Sequence, residues 1–376
     1  KYMPTVLHRL QKWAVDLPHA PAQRFKEGGK KEGVWKDITT AEFRDRVFHL
    51  ALYLESKGLK PGEVGSIYSY NNPQWVQFEL ALTLIRAMSA GIYPNSTQKD
   101  VIYIIKNTAS KVLGVQDKKY FAKIAADLPA SVELIVAFDN DTSISPKAVA
   151  YDEALRIGAG LAKGKNIEDY LKRIDIKGGA YMIFTSGTTG EPKGAILSQD
   201  NLAFTSDATL KHWNLTVGRG SLFSFLPLCH IAEKLQNIGV GITGRYTVSF
   251  CSKMEHLTIE LPQVQPTLLL CVPRVWEKVM EGVEGKIAKT EGFKKTLAQW
   301  ALKTGYEIAE KKYSGISASP LDLVKLAIAN KLVISKIKAA LGLVRVEAAA
   351  SGAAALSSHV AKWYRGIGIE ILEDFG

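Results

Sequence analysis

Apolar positions along the chain follow two rhythms. Phe43, Val47, Leu50, Ala51 and Leu54 recur at helical spacing and form one face of a helix. Asp37 to Phe43 starts that helix, with Thr39 as cap and Glu42 three residues later as its capping-box partner. Residues 8–60 read as helical segments around a short polar turn, with Gly28 to Gly33 as an exposed hairpin tip. Gly62 to Tyr70 then predicts a strand, Asn71-Asn72-Pro73 a turn, and the next helix ends near Gly91-Ile92-Tyr93-Pro94. The second rhythm is the short continuous apolar run of a buried strand. It appears at Val112 to Val115 and at Val132 to Phe138, on either side of a helix around Tyr120 to Leu128. Strands and helices alternating in this way require right-handed parallel crossovers, so the fold class is α/β.

Residues 139–178 are more polar and read as connecting structure. Further buried strands are expected at Tyr181 to Phe184, Ser221 to Pro227, Thr267 to Val272 and Leu343 to Val346. Ser198 to Leu202 begins a helix, where Asn201 either caps or orients a neighbouring loop. Phe293, Leu297, Trp300, Ala301 and Ile308 share one helical face, which is the pattern of core. Seven lysines between 286 and 312 surround it, so a peripheral membrane face is the alternative.

Length and composition narrow the picture. The chain has 376 residues, more than one hydrophobic core usually serves, and two interleaved lobes are expected, 1–175 and 176–376. A net charge of +11 suits anionic ligands or acidic membrane surfaces. No zinc finger, RNA-binding signature or dense arginine tract points to nucleic acid. Cys229, Cys251 and Cys271 lie far apart among apolar residues, as reduced structural thiols do. The longest apolar stretch, Leu80 to Tyr93, is broken by Arg86 and is too short to span a membrane. With no signal-peptide pattern, the chain reads as cytoplasmic, with the inner face of a membrane as its one peripheral station. Composition leaves oligomeric state open.

The candidate chemistry centres on Tyr181 to Gly194, Y-M-I-F-T-S-G-T-T-G-E-P-K-G. A buried strand end runs into Thr185, Ser186, Gly187, Thr188, Thr189 and Gly190, followed by Lys193. Inward-turned N–H groups, four hydroxyls and one mobile ammonium suit a polyphosphate. The common phosphate loop is excluded, because Lys193 sits between Pro192 and Gly194 and opens no helix. The string closely resembles the signature of the adenylate-forming superfamily, in which such a loop holds the β- and γ-phosphates of ATP while a carboxylate attacks the α-phosphate.

Other stretches extend that resemblance. Pro227-Leu228-Cys229-His230 is similar to the family's P-L-x-H, which implies that His230 lies at the junction of acyl group and α-phosphate. A general-base role is disfavoured, since a fatty-acid carboxylate is already ionised. Pro273-Arg274-Val275-Trp276-Glu277-Lys278 resembles long-chain acyl-CoA synthetases; Arg274 can also serve as scaffold through Glu277 or Glu233. Ser351, Gly352, Ala353 and Ala354 match the family's adenine segment, with alanine replacing its second glycine at 353 and its proline at 355. Phe375 matches the aromatic residue near adenine. The resemblance implies the large N-terminal domain of the adenylate-forming fold: stacked, mostly parallel sheets with helices between and around them, and a small β-barrel-like part.

The implied substrates and cofactors are a fatty acid, ATP, Mg2+ and CoA, and the implied reaction is formation of acyl-CoA through acyl-AMP. The alternatives are an acyl-AMP ligase feeding a carrier protein and a non-catalytic nucleotide- or acyl-binding protein. The family's metal-binding glutamate would follow Gly376, and its mobile C-terminal domain with a catalytic lysine is absent from these residues. On that basis the polypeptide as written is expected to be inactive or nearly so.

Overall fold

The computed structural model describes residues 4–29, 32–185 and 190–374. They divide into two compact units, Lys1–Arg219 with Ser224–Met254, and Gly220–Phe223 with Glu255–Gly376.

The first unit opens with helix Val6–Asp16, capped by Thr5. Pro18 follows, and the chain turns into β1 (Pro21–Lys26) and β2 (Trp35–Thr39), an antiparallel hairpin. This corrects the helical reading of residues 8–60. The cause is non-local: β1 also pairs in parallel with a strand more than two hundred residues later, Gln23 opposite Val248. Helix Thr40–Ser56 then starts at Thr39 with the expected capping box, Glu42 reaching back to the Thr39 N–H at 2.7 Å.

β3 (Val64–Tyr68), helix Pro73–Leu84, β4 (Met88–Ile92), helix Gln98–Asn107 and β5 (Val112–Val115) follow. Asn72 caps the first of these helices, with Pro73 as its first residue. That helix ends earlier than expected. Arg86 takes a left-handed φ of 65°, and the apolar run beyond it becomes β4. The polar stretch 139–178 is more than connection, since it holds a short strand and the helices Tyr151–Leu161 and Ile167–Leu171. β6 (Leu134–Ala137), β7 (Ala148–Ala150), β8 (Gly179–Thr185) and β9 (Lys193–Ser198) complete a seven-stranded sheet ordered β7-β6-β5-β3-β4-β8-β9. It is parallel except where β9 runs back along β8. Its fully buried strands explain why β5 and β6 read as unbroken apolar runs.

Strands β10 (Ser221–Ser224) and β11 (Thr247–Phe250) come next, and β11 is the partner of β1. The second unit holds β12 (Leu268–Cys271), β13 (Ala348–Gly352) and β14 (Ile371–Asp374); β12 pairs in parallel with β10 and with β13, and β13 with β14. The strand expected at Leu343 to Val346 lies five residues later, as β13, because Ala348 to Ser351 are the residues that pair with Leu268 to Cys271. The stripe on helix Gly292–Tyr313 is split: Ala301 and Ile308 are buried, whereas Phe293 is 78% exposed. All strands of the described residues belong to these ladders, and no barrel-like part is among them.

Packing in the first unit is organised by a buried charge pair. Lys234 and Glu79 are each almost wholly shielded from solvent, and the Lys234 ammonium donates to both Glu79 oxygens, 2.6 Å to Oε2. The Ser89 hydroxyl donates to Glu79 at 2.6 Å. The Lys234 ammonium also lies over the rings of Trp75, at 4.5 Å, and Tyr181, at 5.4 Å. Burial pulls the Lys234 pKa down and Glu79 pulls it up, with burial the larger effect. The pair therefore ties helix Pro73–Leu84, β4, β8 and the segment after His230 into one body.

Its sequence neighbour behaves differently. Glu233 is fully buried, and neither carboxyl oxygen has a hydrogen-bond partner within bonding geometry among the described residues. The nearby Ser224 hydroxyl and Asn237 amide favour its charge but are bonded to each other, at 2.9 Å. Burial dominates and pushes the Glu233 pKa up to about 8.

Two outcomes are expected. Lys234→Met leaves Glu79 charged and unpaired in the core and costs about 3–5 kcal/mol of stability in urea unfolding, whereas Lys234→Met with Glu79→Leu recovers much of that loss. A double variant no more stable than the single would show that the pair is not the coupled unit described. For Glu233, the folded chain keeps a proton that the unfolded chain releases near 4.5, so stability declines as pH rises from there to about 8. The slope reaches roughly 1.4 kcal/mol per pH unit. Glu233→Gln flattens that decline and gains on the parent as pH rises; parallel urea-midpoint curves would rule out the buried proton.

Candidate active site

The sequence-predicted phosphate segment is the tip of the β8–β9 hairpin. Thr185 ends β8 and Lys193 begins β9, and the two are register partners. Both are exposed. Ser186, Gly187, Thr188 and Thr189 lie outside the described residues. Gly190 is exposed, with open space where a side chain would be. At Gly194 a Cβ would meet the Phe184 ring at 3.0 Å, so glycine lets that ring lie flat against β9. The Lys193 ammonium has no ion-pair partner among the described residues, which suits it to an incoming anion. The lysine leaves the tip on a strand, as its failure to open a helix requires.

His230 is the N-cap of helix Ile231–Lys234, which continues through a π-helical turn, Leu235–Val240. Its Nδ1 accepts the Ala232 N–H at 3.1 Å. Partial burial lowers its pKa, so the ring is neutral at physiological pH. With Nδ1 accepting, the proton of the neutral ring is on Nε2, which leaves one N–H donor and no spare base. Such a ring can stabilise an anionic oxygen but is poorly set to abstract a proton.

The turn that presents His230 is braced from beneath. Asn71 donates to the Leu226 carbonyl at 2.6 Å and to the Ser224 hydroxyl at 2.9 Å, and its Oδ1 accepts the Leu228 N–H at 3.1 Å. A Cβ at Gly91 would sit 2.9 Å from the Cys229 Cβ, so the turn rests directly on β4. β4 is hydrogen-bonded to β8, with Ser89 opposite Tyr181. The His230 turn and the root of the hairpin thus share one support. Asn71, Glu79, Glu233 and Lys234 escaped the sequence reading as site residues, although two ionisable side chains directly after Pro227 to His230 were a usable signal. Asn201 proves to be the capping-box partner of Ser198. Arg274 pairs with Glu277, 3.3 Å, within its own helix.

In the second unit, Ser351 and Gly352 end β13, and Ala353 and Ala354 follow it, exposed. The Ser351 hydroxyl is buried with no partner among the described residues. Ala353 takes a left-handed φ of 72°, where a non-glycine residue costs roughly 1–2 kcal/mol. The chain keeps the glycine conformation without the glycine. Phe375 lies outside the described residues.

Sheet order reverses at β3, whose neighbours β4 and β5 lie on opposite sides. Beyond the carboxyl ends of β3 and β5 lies a cavity of about 240 Å³, lined by Tyr70, Asn71, Gln116 and Asp139 among others. None of the sequence-predicted site residues is among its described lining. Asn71 and Asn72 are already committed to the Leu226–Leu228 turn and to the cap at Trp75. All three cysteines are buried, and none forms a disulfide among the described residues. No helix among the described residues is long and apolar enough to cross a membrane.

Comparison with known proteins agrees with this architecture. The chain is 28% identical to the human (Homo sapiens) long-chain-fatty-acid–CoA ligase ACSBG2 over 95% of its own length and 53% of that protein's. It is 29% identical to the long-chain-fatty-acid–CoA ligase FadD15 of Mycobacterium tuberculosis, over 92% of this chain and 56% of the other. It spans about half the length of the curated relatives it matches. Among solved structures, ATP-bound MatB from Rhodopseudomonas palustris superposes with a TM-score of 0.67 at 19% identity, covering 100% of this chain and 60% of that one. The AMP complex of a carboxylic acid reductase didomain from Segniliparus rugosus gives 0.66 at 18% identity, covering 99% and 52%. These two share the fold. The family model described as AMP-binding enzyme matches residues 10–376, and the chain belongs to that family.

Proposed function

We propose that this chain is the ATP-holding, acyl-activating part of an enzyme that converts a long-chain fatty acid, ATP and CoA into acyl-CoA, AMP and pyrophosphate. The observation that carries the reading is the β8–β9 hairpin, which sets Lys193 opposite Thr185 at the base of a glycine- and hydroxyl-rich tip. The long-chain substrate is supported by the curated relatives.

In the first step a carboxylate oxygen bonds to the α-phosphorus of ATP, and the bond to the β,γ-phosphates breaks, releasing pyrophosphate. In the second, the CoA sulfur bonds to the acyl carbon and AMP leaves, the thiol proton passing to solvent. The first step brings two anions together, so positioning and charge stabilisation are what the protein must supply. Thr185, Ser186, Gly187, Thr188, Thr189, Gly190 and Lys193 would hold the β- and γ-phosphates. The Nε2–H of His230 would donate to the oxyanion at the acyl–phosphate junction. Ser351, Gly352, Ala353, Ala354 and Phe375 would lie along adenine, and the unpartnered Ser351 hydroxyl is a donor awaiting an acceptor. No cluster of three His, Cys, Asp or Glu among the described residues could cage a metal. Magnesium bound with ATP would offset charge on the triphosphate, held largely by the phosphates themselves. Three buried cysteines outside any disulfide among the described residues support a reducing, cytoplasmic setting.

Lys193→Ala is expected to weaken ATP binding by about 1.5–3 kcal/mol, at least tenfold, in calorimetric titration; unchanged affinity would remove the hairpin from the phosphate site. A fatty-acid series in pyrophosphate exchange, run on the full-length protein that carries this chain, is expected to favour long acyl chains. Strict preference for acetate or an amino acid would overturn the substrate, and transfer to a phosphopantetheine protein in place of CoA would overturn the acceptor.

A further inference from the structure

Helix Pro320–Ala329 continues through a π-helical turn, Asn330–Ile334, into helix Ser335–Leu341. One side of this arc is anchored: Ala329 and Ile334 are buried, and Asp322 accepts from Lys311 at 2.8 Å while closing a capping box with Ser319. The other side is apolar and uncovered. Leu321, Val324, Ile328 and Leu332 are spaced three or four residues apart and are 62%, 56%, 46% and 41% exposed. Lone exposed apolar residues are ordinary, but four in a row along one helical face are not.

Charge is distributed around this strip with one sign. From Pro320 to Leu341 the sequence carries four lysines, at 325, 331, 336 and 338, and one acid, Asp322, which Lys311 already engages. Lys325, Lys331 and Lys336 are exposed, and helical spacing sets Lys325 and Lys331 on opposite flanks of the strip.

We infer that this arc is a docking surface for an anionic phospholipid bilayer. Apolar side chains at helical spacing suit the boundary between headgroups and acyl chains, and flanking lysines reach lipid phosphates while their stems stay with the apolar strip. Charge complementarity selects this occupant. A second copy of the chain docking by a two-fold axis would bring lysines against lysines, with Asp322 already engaged. The surface uses no residue of the adenylation reading and does not rest on it.

Sedimentation with vesicles tests the inference. The protein is expected to pellet with phosphatidylcholine vesicles containing phosphatidylglycerol, to do so less as salt rises, and to ignore phosphatidylcholine alone. Ile328→Glu with Leu332→Glu should lower partitioning roughly tenfold or more, and Lys325→Glu with Lys331→Glu should abolish the preference for anionic vesicles. All four positions are exposed, so both variants should keep the parent circular dichroism spectrum and melting temperature. Failure of the unaltered protein to bind anionic vesicles would overturn the inference, as would undiminished binding by the folded Ile328/Leu332 variant. A dimer in light scattering that this variant dissociates would assign the strip to self-association instead.

Discussion

The first unit depends on a contact between residues 155 positions apart, the salt bridge of Lys234 with Glu79. Two buried charges are tolerable only when each is fully engaged, and here the ammonium meets two carboxylate oxygens and two aromatic rings while a serine hydroxyl donates to the carboxylate. Geometry follows from that demand. Helix Pro73–Leu84 has to present Glu79, β4 has to present Ser89, and β8 has to offer the face of Tyr181. Once these are aligned, the His230 turn and the β8–β9 hairpin stand on a common floor. A hydrophobic contact in the same place would stabilise as well but would specify the alignment less narrowly, because it lacks direction.

Glu233 shows what the same interior does to a charge with no partner. Adjacent in sequence to Lys234, it keeps its proton well above the ordinary carboxylate range. The exposed cation of the candidate site is Lys193, at the start of β9.

Legibility followed the range of the interactions involved. The cap at Thr39 was readable because donor and acceptor lie within three residues of each other. β5, β6 and β12 were readable because buried parallel strands are continuously apolar. β1 was missed because its pairing with β11 is invisible locally, and β13 was displaced because an alanine run has little strand preference of its own. Arg86 hid β4 by making a left-handed reversal without glycine. At the candidate site, Thr185, Lys193 and His230 were singled out by residue type and order alone. Their support by Asn71 and Glu79 did not, since those side chains acquire meaning only when the chain closes on itself.

The β8–β9 ladder carries one further implication, which is a matter of parity. Along β9 successive side chains alternate faces, so Lys193, Ala195 and Leu197 share one side and Gly194, Ile196 and Ser198 the other. The side on which the cation emerges is therefore set by residue count from the far end of the ladder, where pairing slips by one between Gly179 and Tyr181. An odd change in length at that slip would send the lysine to the opposite face while leaving every residue of the tip unaltered.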